Sequence, residues 1–299
     1  MRNRGGWASS TASYDSIIPH AARDGDHRAD LACWHTLHMH ARSALFDVYG
    51  DHLVSHGHAA AVADLVRLLA PLGIAAPAVR TAISRMVAQG WLEPTSVHGA
   101  RGYVATEQAV RRLADSAARI YQRQPRTWEG TWQLVFVGHF PDRASRNAAV
   151  RDLAFLGYAE LADRVWVSPF ARAELDATLS RVGATATTAL ATTFDPVHAP
   201  VHAWDLEELA AAYDDWMHEA AARVQDDLAA HDDPEEAAYA ARFRLVHEWR
   251  KFLFTDPGLP AELLPSDWPG HRAGEFFQAE GERLRPAAAT FVARTLHAS

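Results

Sequence analysis

The sequence predicts an α+β chain in three parts: a small helical unit closed by a β-hairpin, a central βαββαβ unit, and a run of long helices. Three patterns carry that prediction. From Ser43 to Val104, three stretches of helical apolar spacing precede two short strand-like runs around a glycine turn. From 128 to 196, strand and helix patterns alternate in the order β-α-β-β-α-β. After 203 the apolar spacing is helical almost throughout.

Leu45, Phe46, Val48 and Tyr49 mark a first helix, and Ala60 to Leu72, with Val62, Leu65, Val66 and Leu69, marks a second that Gly73 ends. The stretch PAVRTAISRMVAQGWLEP, residues 77 to 94, supplies the third. Val79, Ile83, Met86 and Val87 recur at helical spacing and form one buried stripe, while Arg80, Thr81, Ser84 and Arg85 fall on the other side. Pro77 suits a first helical turn and Gly90 a helix end, which brackets about 13 residues. Trp91-Leu92-Glu93 and Tyr103-Val104 then flank the tight turn HGARG at 98–102. Three helices followed by a wing is the order of a winged helix-turn-helix, spanning 41–124.

In that arrangement the third helix enters the major groove by its N-terminal residues. Arg80 and Arg85 suit bidentate contacts to guanine or phosphate, and Thr81 and Ser84 suit phosphates or base edges. Arg101 at the wing tip would reach a neighbouring phosphate or the minor groove. The alternative is that these are solvated polar residues with no partner.

Val110 to Gln122 reads as a further helix, broken by Gln124-Pro125-Arg126. In WEGTWQLVFVGHF, apolar residues on both faces predict a short strand buried on both sides. A helix with Val150, Leu153 and Leu156 follows, then strands near 157–161 and 165–169, a helix from about Arg172 to Val182, and a last strand within 185–194. This is the split, ferredoxin-like order, at 128–196. The remainder, 203–299, predicts helices at Trp204–Leu228, Glu235–Phe254 and Ala273–Leu296. FTDPGLPAELLPSDWPG is a proline-punctuated loop expected to pack on those helices as a lid. Residues 1–40 lack periodicity and read as a flexible N-terminal extension.

A chain of 299 residues that is 48% hydrophobic can bury more than one core. No apolar run approaches the roughly 18 residues needed to span a bilayer, and no secretory signal opens the chain, so a cytoplasmic location without membrane contact is expected. The lone Cys33 excludes an intramolecular disulfide framework. A net charge of -8 argues against a protein that coats nucleic acid, yet residues 76 to 103 hold three arginines against one glutamate. Any phosphate contact would be local.

The combination of PLGIAAPAVRTAISRMVAQGWL (71 to 92), WEGTWQLVFV (128 to 137), GYAELADRVWVSP (157 to 169) and HEWRKFLFTDPGLPAELLPSDWPG (247 to 270) resembles the PaaX family of transcriptional regulators, the phenylacetic-acid-degradation repressors and their relatives. The resemblance covers nearly everything after residue 41. It implies a homodimeric repressor bound to a double-stranded DNA operator and released by a small-molecule effector, an aryl-CoA thioester such as phenylacetyl-CoA, with no other cofactor. A pocket for such a ligand wants arginines beside an apolar slot. Trp249 and Arg250 are the candidate effector contacts, unless Arg250 is instead pinned to a carboxylate such as Asp256.

The competing reading is an enzyme, a metal-dependent nuclease built on the central unit, which would want a carboxylate at the end of the first strand. That strand ends Val137-Gly138-His139-Phe140, without one. His247-Glu248 opens like a zinc-protease motif but meets Lys251 where the second histidine is due. No catalytic or metal-binding set is assigned.

Overall fold

The computed structural model describes residues 39–120 and 127–297. The extension read at 1–40, apart from its last two residues, and the break read at 124–126 lie outside them. The chain divides into two compact units, Met1–Ala114 with Val292–Ser299, and Asp115–Phe291. It is a mixed α+β protein with two antiparallel sheets and a helical C-terminal region.

In the first unit, α1 (Ala41–Asp47) runs on into a π-helical stretch at Val48–His52. Next come β1 (Ala59–Ala61), α2 (Val62–Leu69), α3 (Ala76–Ala88), β2 (Leu92–Val97), β3 (Ala100–Ala105) and α4 (Glu107–Ile120). The stripe read from the sequence is the core. Val79, Ile83 and Met86 of α3 are buried with Leu45, Leu65, Leu68 and Leu69, and Val87 is half-buried at the edge. Each such side chain, once fully buried, contributes roughly 1.5–3 kcal/mol. Trp91 meets Phe46 edge to face at 5.2 Å.

In this unit one element differs from the sequence reading. The helix expected from Ala60 begins at Val62, because Ala59–Ala61 pairs with Gly102–Val104 and forms the outer strand of a sheet ordered β1-β3-β2. Alanine favours helix intrinsically. Here a ladder to residues more than forty positions away overrides that preference.

The second unit opens with β4 (Trp132–Val137), α5 (Arg143–Phe155), β5 (Ala159–Ala162), β6 (Val165–Ser168), α6 (Leu175–Arg181) and β7 (Ala186–Ala191). Its sheet is antiparallel throughout, ordered β5-β6-β4-β7. Val135 and Val137 face α5 and α6 and share a core with Leu153, Leu156, Trp166 and Leu179. On the opposite face Trp132 packs against Trp128, Phe194 and Trp204, and Val167 and Ala159 are buried. Phe136 at the other end of β4 is 42% exposed, so β4 is not buried on both sides as its composition suggests.

The helices α7 (Leu206–Ala229), α8 (Pro234–Trp249), α9 (Phe252–Thr255) and α10 (Pro269–His297) follow. The helix expected at Glu235–Phe254 is thus two, separated by a turn at Arg250-Lys251. The break lets Phe252 stack on Tyr213 at 4.0 Å within a core that also holds Trp216, Trp268 and Phe277. The proline-rich loop contributes Leu259 and Trp268 to the interior. A Cβ on Gly157, in the turn between α5 and β5, would lie 2.7 Å from the Pro257 carbonyl oxygen, so this turn and the proline-rich loop are in close backbone contact.

Candidate nucleic-acid interface

The α3 helix starts and stops as its ends demand. Gly73, at φ 77°, turns the chain after α2, and buried Ile74 anchors the turn. At the other end Gly90 takes φ 72°, and the Trp91 amide donates to the Met86 carbonyl at 2.9 Å, which satisfies an end carbonyl. Four residues between these stops, Arg80, Thr81, Ser84 and Arg85, are all exposed. At about 100° per residue they cover about 140° of the helix circumference, centred opposite Val79, Ala82, Ile83 and Met86. Arg80 and Arg85 stand about 7.5 Å apart along the axis.

Their chemistry differs. The Thr81 hydroxyl donates to the Pro77 carbonyl at 2.9 Å, so it offers a partner only acceptor capacity. Among the described residues neither Arg80 nor Arg85 is held in an ion pair. Arg67 on α2, in contrast, is held by buried Asp64. The N-terminus of α3 has no side-chain cap and no acid in its first turn. Asp142, Asp205 and Asp233 cap α5, α7 and α8. The α3 terminus alone of these four keeps an uncompensated positive dipole end.

β2 and β3 are joined by His98-Gly99, with φ 51° and 81°, the paired positive φ of a type I′ hairpin. Arg101 follows on β3. Its guanidinium donates to the Tyr103 hydroxyl at 2.9 Å and lies over that ring, 5.8 Å from the centroid, which orients an exposed cation. The hairpin is tied to the core through Tyr49, whose buried hydroxyl donates to the Tyr103 carbonyl at 3.0 Å. Gly102 allows β1 to approach: a Cβ there would lie 2.7 Å from the Ala60 carbonyl oxygen. The missing cap on α3 and the orienting role of Tyr103 are the site features that the sequence reading passed over. The uncapped start, Ile74-Ala75-Ala76-Pro77, was legible.

The candidate effector residues lie elsewhere. Trp249 stacks on Phe277 at 4.7 Å and stands 5.0 Å from Trp216, partly buried against the aromatic core. Arg250 is part-buried, and burial lowers its pKa to about 10. Asp256 accepts from the Tyr213 hydroxyl at 2.5 Å and from the Gly258 amide at 2.7 Å. Nearby cations diverge: Arg242 donates to Gly281 of α10 at 3.3 Å, and Arg244 pairs with Asp227 of α7 at 3.1 Å.

An open cleft of about 310 Å³ beside the end of β4 is lined by His139, Phe140, Asp142, Arg143, Arg146, Asp163 and Arg164. Asp142 is engaged in capping α5, and the Ser145 amide holds its carboxyl below the usual range. Asp163 lies 3.5 Å from the Arg164 guanidinium, and Arg146 is fixed on Glu160 by two bonds of 3.0 Å. Among the described residues no group of three or more His, Cys, Asp or Glu side chains is arranged to hold a metal. The nuclease reading finds no support here.

Comparison with known proteins agrees with the resemblance. Residues 40–109 match the family described as PaaX-like protein, and 204–294 match the PaaX-like protein C-terminal domain. The chain belongs to the PaaX family. It is 28% identical over 260 residues to the transcriptional repressor PaaX of Escherichia coli (strain K12), covering 84% of this chain and 82% of that one. Among solved structures it resembles the uncharacterized protein Rv0674 from Mycobacterium tuberculosis, with a TM-score of 0.55 and 28% identity over 86% of this chain and 97% of that one.

Proposed function

We propose that this protein is a DNA-binding transcriptional repressor and not an enzyme. Its reading head is a winged helix-turn-helix in which α3 enters the major groove and the β2–β3 hairpin is the wing. The observation that carries this reading is the arc of Arg80, Thr81, Ser84 and Arg85, exposed opposite the buried stripe of a helix with an uncapped N-terminus. That terminus suits a phosphate. The match to a named repressor over most of the chain supports the class. The element order and strand order of the central sheet support a ferredoxin-like domain.

The chain would work in the cytoplasm as a homodimer on a double-stranded operator. The effector is an acyl-CoA thioester, with phenylacetyl-CoA the first to try, on the strength of the sequence pattern at 247–270. Trp249 and Arg250 are its candidate contacts. Trp249 is partly buried among rings of α7, α9 and α10, so an acyl group that wedges against it would shift those helices and couple effector to DNA affinity by changing the population of binding-competent states.

The test is a gel-shift titration against DNA from immediately upstream of its own and neighbouring genes, at several salt concentrations, with and without aryl-CoA thioesters. Specific binding that one thioester releases is the expected result. Arg80→Ala and Arg85→Ala should each weaken operator binding by about 1–3 kcal/mol if that side chain contacts a base, or about 5- to 140-fold. A phosphate contact would instead reduce the salt slope by about one. Full operator affinity in both variants would refute the assignment.

A further inference from the structure

The second sheet has two outer edges, and they differ. β5 is four residues long, carries a register shift between Glu160 and Ala162, and is followed by Asp163 and Arg164. Shortness, irregularity and charge are the usual protections of a sheet edge. β7 has none of them. It pairs with β4 over six consecutive residues without a shift, and no charged residue occurs between Arg181 and Asp195. Five of its six residues are exposed, and Leu190 is 72% exposed.

The register fixes which backbone groups face outward. The Gly138 amide donates to the Thr185 carbonyl at 3.0 Å, so Thr185 points toward β4. Antiparallel alternation then turns Thr187, Ala189 and Ala191 inward, and turns the N–H and C=O of Ala186, Thr188 and Leu190 toward the open edge. We propose that this edge is the homodimer interface: two copies of β7 pair antiparallel about a two-fold axis at Thr188, joining the two sheets into one.

A second copy fits this edge better than another partner because the strand is complementary to itself. With the axis at Thr188, residue 188 opposes itself and Leu190 opposes Ala186, so each outward N–H meets an outward C=O, giving about six backbone bonds. The exposed leucine meets a small apolar neighbour. A charged strand would repel its own copy, and this one carries no charge. Antiparallel pairing closes at two copies, whereas a β7-to-β5 contact would run on indefinitely and is opposed by the shift and charges of β5.

This inference deepens the DNA-binding reading, since a palindromic operator needs a two-fold protein, but it rests on the edge alone and is measured without DNA. A failure of either is therefore seen separately. Sedimentation should give a dimer for the full-length protein. Thr188→Pro removes only an outward N–H, which leaves the β4 ladder intact, and should raise the dimer dissociation constant at least about ten-fold. Because a proline variant can misfold, cross-linking supplies an independent arm. With Cys33→Ser as background, Thr188→Cys should give a disulfide-linked dimer on mild oxidation, as the opposed Cα atoms of such a pair lie about 5.5 Å apart. Thr187→Cys, which opposes residue 189, should not. A chain that stays monomeric, or a dimer that cross-links no better at 188 than at 187, overturns the proposal.

Discussion

Gly99 and Gly102 lie three residues apart in the hairpin and are glycines for different reasons. Gly99 has φ 81°, and a Cβ there would meet nothing within 4 Å. Its cost is conformational, about 1–2 kcal/mol for an ordinary side chain in the left-handed region. Gly102 has an ordinary strand backbone but no space. A Cβ would stand 2.7 Å from the Ala60 carbonyl oxygen and 2.7 Å from Val97 Cγ2. The valine methyl can rotate away, but the carbonyl belongs to β1 and cannot move without loosening its pairing with β3. Gly102→Ala should therefore cost about 1–3 kcal/mol as overpacking, and more if β1 detaches. In a unit of this size each kcal/mol lowers the melting temperature by about 4–8 °C. Asparagine separates the two causes, since it tolerates the left-handed region. Gly99→Asn should recover most of the stability that Gly99→Ala loses, whereas Gly102→Asn should be at least as damaging as Gly102→Ala. Melting curves of the four variants test this. Rescue at both positions, or at neither, would refute the division between strain and space.

Asp256→Ala should cost about 1–3 kcal/mol by leaving the buried Tyr213 hydroxyl without its acceptor, and Tyr213→Phe should cost less, because Asp256 is only part-buried and keeps the Gly258 amide; denaturant midpoints decide. Burial pushes the His247 imidazole below its ordinary value of 6.5, against a smaller upward pull from Glu248. Through that window the unfolded chain binds a proton that the fold resists. Stability contributed by His247 is therefore present above the ordinary value and lost as pH falls toward the depressed one, with a slope of at most about 1.4 kcal/mol per pH unit. Glu248, raised by burial, contributes with the opposite sign through pH values above 4.5. The difference in stability between the wild type and His247→Gln, followed from about pH 7 to about pH 5, should thus shrink the wild type's advantage as pH falls; a constant difference would exclude the histidine as its source.

Much of the candidate interface was legible because α3 is amphipathic: one helix with an apolar stripe exposes what lies opposite. Arg80 and Arg85 needed nothing else. The hairpin was legible from HGARG, since two positive-φ positions leave few turn types. Other features had no local signal. Ala60 and Ala61 read as helix until Gly102 is brought beside them. The break after Trp249 has neither glycine nor proline, and follows from the ring stacking of Phe252 on Tyr213. Trp249 and Arg250, neighbours in a sequence that suggested a pocket, are a packed ring and a part-buried cation in the structure.

The sequence by itself determined most of the element order, the buried and exposed sides of α3, and the family, because periodicity, turn residues and motif combinations act over a few positions; β1 and the split between α8 and α9 escaped it. The tertiary structure decided which strands share a sheet, which cations are spent on neighbouring helices, and which edge stays open. Those outcomes depend on groups distant along the chain meeting in space, where the energy of a pairing or a buried charge is set by what stands opposite.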